Sequence, residues 1–520
     1  MNFRNRNFAK SGTLYFFIVF IGLLFFYRYH QTSFYVPQGL HQWRQCVGAS
    51  YAKNYYNYNL DISEARIYNH ISQNETSDVT FVEIPVLYYS VAVLYKFFGP
   101  HDAVFRIFNA LILLLGLFLL FKTLRFYLKD IFWSLIIVVI VFTSPTLVYY
   151  ANGFLPNTTA FGFVFIALYF LHKALQKNKT SYLYLSSLFY LLAGTSKVTS
   201  LISLLALIGA FTLMQLFDKE FREKYQFQKF IVPAIIPLAG VFVWYYFVEW
   251  FNSNYGGTIS PVTIRPIWVL SAEVIAKTWD KIANVWLNSY YHVSLQIIAL
   301  ISFLGTLIFF KKSNRFLTVV TTLSILGSTA FFFLFFRSLF NHDYYLINVF
   351  IVVVFALASG SLLLKNHVPK LYNSVVLKIL LVILVGFYAN ECRQRIKIKH
   401  DGYHNYHHKT RYSGFVGIEE YNRDSLGINP QDLVIAIPDP SNNISLYLMN
   451  QPGFTEFGIS HVKGAERIDY LISRGAEYLF ISDKKVYKED KYNYLEPYMK
   501  YKIGNYKNID IYDLRPFEDK

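Results

Sequence analysis

FNALILLLGLFLLF, residues 108–121, carries no charge and a single polar side chain, Asn109. Moving outward, Asp102 and Arg106 precede it and Lys122 and Arg125 follow. Charges thus bracket an apolar helix close to the roughly 20 residues that cross a bilayer core. The pattern recurs in SGTLYFFIVFIGLLFFY (11–27) and LKILLVILVGF (377–387). The 520-residue chain is 54% hydrophobic, 19% aromatic and only 16% charged, which sets it apart from soluble proteins. The run at 11–27 lacks an A-x-A-like cleavage site and many runs follow it, so it reads as a retained first helix rather than a signal peptide.

About eleven spans are expected, starting near residues 12, 103, 131, 158, 181, 198, 230, 292, 316, 343 and 373. Alternate connections then collect the basic residues Arg4, Arg6 and Lys10, then Lys122, Arg125 and Lys129, then Lys173, Lys177 and Lys179. Lys219, Arg222, Lys224 and Lys229 follow, then Lys311, Lys312 and Arg315, then Lys365 and Lys370. The positive-inside rule places the N-terminus in the cytoplasm and the C-terminal segment outside. The formal charge of +16 is therefore a topology signal with some attraction to anionic lipid, and no nucleic-acid partner is expected. The two cysteines, Cys46 and Cys392, give neither a disulfide framework nor a metal-binding spacing.

Four outward segments remain between the spans. Residues 29–102 contain GLHQWRQ (39–45), the polar DISEARIYNHISQNETSD (61–78) and an apolar piece, Ile84–Phe98. That piece is about 15 residues, short for a span, and reads as a re-entrant or interfacial helix. The others are YYANGFLPNTT (149–159), a stretch at 249–291 with Trp268, Trp279 and Trp286, and NHDYY (341–345); Lys197 falls at a further outward turn. Polar and aromatic groups gather at one membrane face while helix centres stay nearly free of charge, the reverse of a transporter's mid-membrane site. Asn74-Glu75-Thr76 is a formal glycosylation sequon that chance alone produces.

From about residue 391 the composition turns polar, with ECRQRIKIKHDGYHNYHHKTRYSG (391–414) as a linker or elbow. DLVIAIPDPSNN (432–443) reads as a buried strand and turn, and ERIDYLISRGAEYLFIS (466–482) as an amphipathic helix, a Gly cap and a strand. KYKIGNYKNIDIYDL (500–514) reads as a hairpin. The expected fold is a polytopic α-helical membrane protein with a small C-terminal extramembrane α/β domain. The division is 1–390, membrane-embedded and including the first outer loop 29–102, and 391–520, a lid or acceptor-docking domain.

The order of these elements resembles the GT-C glycosyltransferases that use polyprenyl-phosphate sugars, such as protein O-mannosyltransferases and aminoarabinose transferases. The resemblance rests on EIPVLYY (83–89), an aliphatic helix ending in FG, DAVFR (102–106) and a long span. HQWRQ (41–45) followed by GASYAKNYY (48–56), and the late HDYY (342–345), are similar to a bacterial subgroup of that family. Where better-known members carry an acidic residue after the first span, this chain has Gly39–Gln42; at their second acidic position it has Asn157, and Ile84 replaces a usual Lys.

The implied reaction transfers a monosaccharide from a polyprenyl-phosphate carrier to a glycan, lipid or protein acceptor. It needs a base for the acceptor and cations for the leaving phosphate. Glu83, beside an apolar helix, and His41 are the catalytic candidates. Arg44 suits a phosphate clamp because guanidinium binds phosphate oxygens bidentately, and Arg106 and Lys197 are further cations. Trp43, Tyr344 and Tyr345 offer faces for sugar rings. Gln45, Asn157, His342 and Asp343 complete the substrate-binding set, the last two being also possible ligands of a divalent cation. Asp102 is expected to pair with Arg106 at i, i+4. The alternatives are an oligosaccharide polymerase or ligase using lipid-diphosphate donors, a lipid-linked-sugar flippase, and an inactive relative. Low Ala with abundant Lys, Asn, Ile and Phe suggests a bacterial host, hence an inner-membrane protein with a periplasmic site and an undecaprenyl carrier.

Overall fold

A computed structural model describes residues 3–72, 77–255, 264–459 and 461–517, with side chains from residue 11 onward. The sequon at Asn74 and the whole GGTISPVT stretch (256–263) lie outside the described residues. The chain divides into two compact units. One comprises Met1–Ser33, Arg106–Tyr245 and Thr263–Lys397; the other comprises Phe34–Phe105, Tyr246–Val262 and Ile398–Lys520.

Among the described residues, seven helices are long and apolar enough to cross a membrane, or nine if each of two bent pairs counts as one span. The seven are Asp102–Leu128, Pro156–Lys177, Val198–Phe217, Gln228–Tyr255, Arg315–Leu334, Asp343–His367 and Val375–Asn405. The remaining two of the expected eleven are also helical but shorter, Ser11–Phe26 and Thr180–Ser196. The piece read as re-entrant is the 13-residue helix Val86–Phe98, too short to span.

In the first unit, Ile131–Val141 and Pro145–Ala151 bend by 79°. The break follows from chemistry: the Ser144 side chain accepts from Leu147 N at 3.2 Å and Pro145 starts the second helix, where its missing N–H costs nothing. A second pair, Ala272–Tyr290 and Val293–Ile308, bends by 82° before His292 caps the next helix at Ser294 N. Inside Gln228–Tyr255, Pro237 lacks the N–H that the Pro233 carbonyl needs, and the Ser187 hydroxyl donates to that carbonyl instead. Gly116 and Gly162 let two long helices touch backbone to backbone. A Cβ at Gly116 would lie 2.6 Å from the Gly162 carbonyl oxygen. Exposed apolar side chains such as Ile235, Phe242 and Val243 suit contact with lipid tails.

In the second unit, five strands form one sheet: β1 (Leu433–Ile437), β2 (Gly453–Phe454), β3 (Ala476–Ile481), β4 (Lys502–Tyr506) and β5 (Ile509–Asp513), in the order β2-β1-β3-β5-β4. β1 runs parallel to β2 and β3, while β5 is antiparallel to β3 and β4. Val434–Ile437 are all buried, as a central parallel strand requires. The helix Gly464–Ser473 packs Ile468, Leu471 and Ile472 onto this core, and Gly475 turns the chain at φ +90°. The strand, capped helix and hairpin read from sequence all stand here.

Two features differ from the sequence reading. The stretch taken as an elbow from residue 391 is helical as far as Asp401, a continuation of the helix beginning at Val375. The second is an extra sheet edge. Asn69 forms a parallel bridge to Gly453, with Gly453 N donating to the Tyr68 carbonyl and His70 N to the Gly453 carbonyl, both at 3.0 Å. Ile71 enters the sheet's apolar core.

Candidate active site

GLHQWRQ folds into a turn that launches the helix Gln42–Asn57. Gly39 and His41 both adopt positive φ, +76° and +57°. For His41 this conformation is strained by about 1–2 kcal/mol and must be held by its surroundings. Polar bonds supply that hold. Gln45 Nε2 donates to the Gln38 and Leu40 carbonyls at 3.0 and 2.8 Å. Gln42 Nε2 reaches the Pro37 carbonyl at 3.0 Å and His408 Nδ1 at 2.8 Å. Gly39 N donates to Asn405 Oδ1, and Leu40 N to the Lys399 carbonyl.

That turn aims Arg44. Its Nη2 lies 2.7 and 2.8 Å from the two carboxylate oxygens of Glu83. The carboxylate side chain is 5% exposed and the guanidinium 22%. Glu83 stands just ahead of Pro85, which caps Val86–Phe98, and the Tyr88 hydroxyl sits 3.5 Å from both partners. The Tyr51 ring packs on Tyr88 at 5.1 Å. Burial pushes the Tyr51 phenol well above its usual range, so it stays protonated. Trp43 remains 42% exposed, its ring edge-on to Phe457 at 5.3 Å. Thus His41, Trp43, Arg44, Gln45 and Glu83 share one unit, and in it Gln45 bonds the carbonyls of its own turn. Asp102, read as a partner of Arg106, accepts from the Tyr447 hydroxyl in this same unit.

The remaining candidates lie in the first unit. Asp343 is fully buried and accepts from the Tyr150 hydroxyl at 2.6 Å. Thr146 lies 3.5 Å from that carboxylate and donates to the Ser289 carbonyl at 2.9 Å. Asn157 Nδ2 donates to the Tyr344 carbonyl at 3.1 Å. His342 Nδ1 meets the Tyr344 hydroxyl at 3.0 Å and its ring stacks on Tyr345 at 4.9 Å. Lys197 Nζ rests 4.5 Å above that same Tyr345 ring. Lys197, His342 and Tyr345 are half-buried, so a cation, an imidazole and an aromatic face meet at one place.

Arg106 has another setting. It is 1% exposed, donates to the Asn152 carbonyl at 2.5 Å and lies 4.4 Å from the Phe154 centroid. One turn later Asn109 donates to the carbonyls of Tyr150, Gly153 and Leu155 and accepts from Thr158 and Thr159. These two residues pin the helix end that carries Tyr150 and the turn that follows it. Sequence reasoning missed Asn109, Thr146 and Tyr150. The signal at Asn109 and Thr146 was an amide or a hydroxyl inside an otherwise apolar run; Tyr150 gave none. Among the described residues no three His, Cys, Asp or Glu side chains converge as a metal site. Both cysteines are buried thiols outside any disulfide.

Residues 82–244 match the family of dolichyl-phosphate-mannose-protein mannosyltransferases. That match spans just under a third of the chain and is a likeness over that segment. Among solved structures it is similar to ArnT from Cupriavidus metallidurans in the apo state, with TM-score 0.60 and 13% identity over 98% of this chain and 99% of that one. The same protein bound to undecaprenyl phosphate gives TM-score 0.60 and 13% identity, over 97% and 98% of the two chains. The archaeal oligosaccharyltransferase AglB from Archaeoglobus fulgidus, in complex with an inhibitory peptide and a dolichol-phosphate, matches at TM-score 0.50 and 12% identity over 92% and 70%. At these identities the likeness concerns the fold. No curated protein matches the chain by sequence.

Proposed function

We propose that the protein transfers a monosaccharide from a polyprenyl-phosphate carrier to an acceptor. The observation that carries this reading is the end-to-end likeness to a structure solved with undecaprenyl phosphate bound, over 97% of this chain and 98% of that one. AglB spans a longer chain, of which 70% is covered, which favours the monosaccharide reading over an oligosaccharide ligase.

The chemistry forms a bond from the acceptor's nucleophilic atom to the anomeric carbon. The anomeric C–O bond to phosphate breaks, the phosphate leaves with the electron pair, and a base takes the acceptor's proton. Glu83 is assigned that base, with Arg44 fixing its carboxylate and adding positive charge. Trp43 and His41 contact substrate beside them. Lys197 and His342 are assigned to a phosphate, with Tyr345 as the surface on which the lysine rests. Gln45, Asn157 and Arg106 are positioning residues, and Asp343 with Tyr344 holds the segment that presents His342. In the cell this reading places the protein in a bacterial inner membrane, N-terminus cytoplasmic and C-terminal sheet periplasmic, as the basic residues of alternate connections support.

The test is transfer of radiolabelled sugar from synthetic polyprenyl-phosphate monosaccharides by purified protein, beside Arg44→Ala and Glu83→Gln, with and without chelator. Transfer abolished by both substitutions supports the assignment. Reaction with lipid-diphosphate oligosaccharides alone points to a ligase, and silence from every donor refutes the transferase.

A further inference from the structure

The second unit holds a cavity of about 310 Å³ that none of the assignments above uses. It opens among Asn54, Asn57, Tyr58 and Tyr68 from the first connecting segment and Glu419 and Asn450 from the C-terminal one. Its size falls at the low end of small-molecule pockets, roughly 300–1,000 Å³.

Its chemistry is selective. No lysine or arginine lines it, and its one basic lining group, the His70 imidazole 3.9 Å from Asp78, is pulled below 6.5 by burial and stays neutral near pH 7. Arg66, whose guanidinium lies 5.3 Å from the Tyr58 ring, is spent on Asp78 at 2.7 and 2.9 Å and on Glu64 at 2.6 and 2.8 Å. Glu419 would repel an anion outright. The lining is instead rich in amides and phenols, groups that donate and accept at once. A sugar hydroxyl, which also does both, is the matching partner.

The polar groups are pre-arranged as well. The Tyr68 hydroxyl donates to Asn450 Oδ1 at 2.6 Å, and Asn450 Nδ2 donates to Glu419 Oε1 at 2.6 Å. This chain fixes which way the Asn450 amide faces, and Asn450 itself sits at φ +52° past the end of the helix Ile444–Met449. Asn54 is held by the Arg66 carbonyl at 3.0 Å. Asn54 and Tyr68 are buried at its floor while Asn57, Tyr58 and Gln431 are exposed at its rim, so polar groups line the hollow from base to mouth where packing alone would favour apolar ones. Tyr58, 36% exposed, adds an aromatic surface for the C–H face of a ring.

We propose that this cavity binds a neutral sugar unit. It thereby names a neutral glycan as the acceptor class, and that second step rests on the transferase reading, whereas the binding does not. The experiment measures binding to the purified full-length protein by saturation-transfer NMR, with no donor present. Probes are neutral glucose-, galactose-, mannose- and N-acetylglucosamine-based trisaccharides against a uronic-acid trisaccharide. The exposed Gln431 also lines the cavity, and Gln431→Trp fills it while leaving the Tyr68–Asn450–Glu419 chain intact. Neutral trisaccharides should bind at millimolar concentration and weaken at least about tenfold in Gln431→Trp. Asn57→Leu, which removes one amide at similar volume, should weaken them too and serves if the tryptophan variant misfolds. No binding at roughly 10 mM, equal binding of the acidic probe, or indifference to the variants overturns the assignment. Sugar binding without transfer from any donor would sink the transferase and leave the cavity standing; transfer without it would do the reverse.

Discussion

One nitrogen of Arg44, Nη2, holds both carboxylate oxygens of Glu83, at 2.7 and 2.8 Å. A pair buried to this degree is costly to desolvate and rarely stabilises more than an apolar substitute would. Its retention at the head of a strained turn fits chemistry better than folding. Glu83→Gln and Arg44→Ala should each lower sugar transfer by about 10²-fold or more. In the double variant neither charge is left unpaired, so its melting temperature in detergent should recover towards wild type while transfer stays low. Recovery of transfer together with stability would show that the pair is structural.

Lys197 rests on the Tyr345 ring beside His342. If it holds a phosphate, Lys197→Gln should reduce transfer roughly 10²-fold without lowering the melting temperature. An unchanged kcat/KM for the donor would remove Lys197 from the mechanism.

Asp343 keeps its place through the Tyr150 hydroxyl at 2.6 Å. Tyr150→Phe takes one donor from a fully buried carboxylate and should cost about 1–3 kcal/mol. Thermal unfolding of the purified variant reads this directly, and a melting temperature equal to wild type would refute the pairing.

His408 responds to pH. Burial first, and Lys409 second, pull its imidazole down from 6.5 to about 4. Between those values the unfolded chain binds a proton that the folded protein refuses, so stability falls as pH drops from 6.5 towards 4 and is level above. The loss should total about 2–3 kcal/mol. Protonation would also disrupt the Gln42–His408 contact at the turn bearing Arg44. The difference between wild type and His408→Gln, followed by denaturant unfolding across that range, isolates the effect from nearby carboxyls. Parallel curves would disprove it.

Gly116 and Gly162 meet where a Cβ at either would strike the other helix's backbone. Gly162→Ala should therefore destabilise the membrane-embedded unit by about 1–3 kcal/mol, seen as a lower melting temperature in detergent. No shift would mean the helices can part freely.

Much of the fold was legible because periodicity is local. FNALILLLGLFLLF and the IGNYKNIDIY hairpin declare themselves within a dozen residues. The helix past residue 391 was misjudged because its polar composition resembles a linker, yet nothing in it stops the helix before Gly402. The site is less legible because its contacts are remote. Sequence nominates Arg44 and Glu83 separately, but their 39-residue separation hides the pairing. Asn157 was nominated by its place in a family pattern, and only the fold shows it bonded to the Tyr344 carbonyl. Tyr150 carried no signal, since a tyrosine near a helix end looks the same whether it anchors an aspartate or faces lipid.

The edge contributed by residues 68–70 sets an order of events during synthesis. The Asn69 amide donates to the Thr455 hydroxyl across 386 positions of chain. Until the ribosome has delivered that far strand, the first connecting segment has no sheet to join. Its backbone groups must wait in water while almost every membrane helix is inserted. Completion of the fold is thus tied to the arrival of the last fifth of the polypeptide, and a chain cut short before β2 would leave the segment between Asn57 and Glu83 without its ledge.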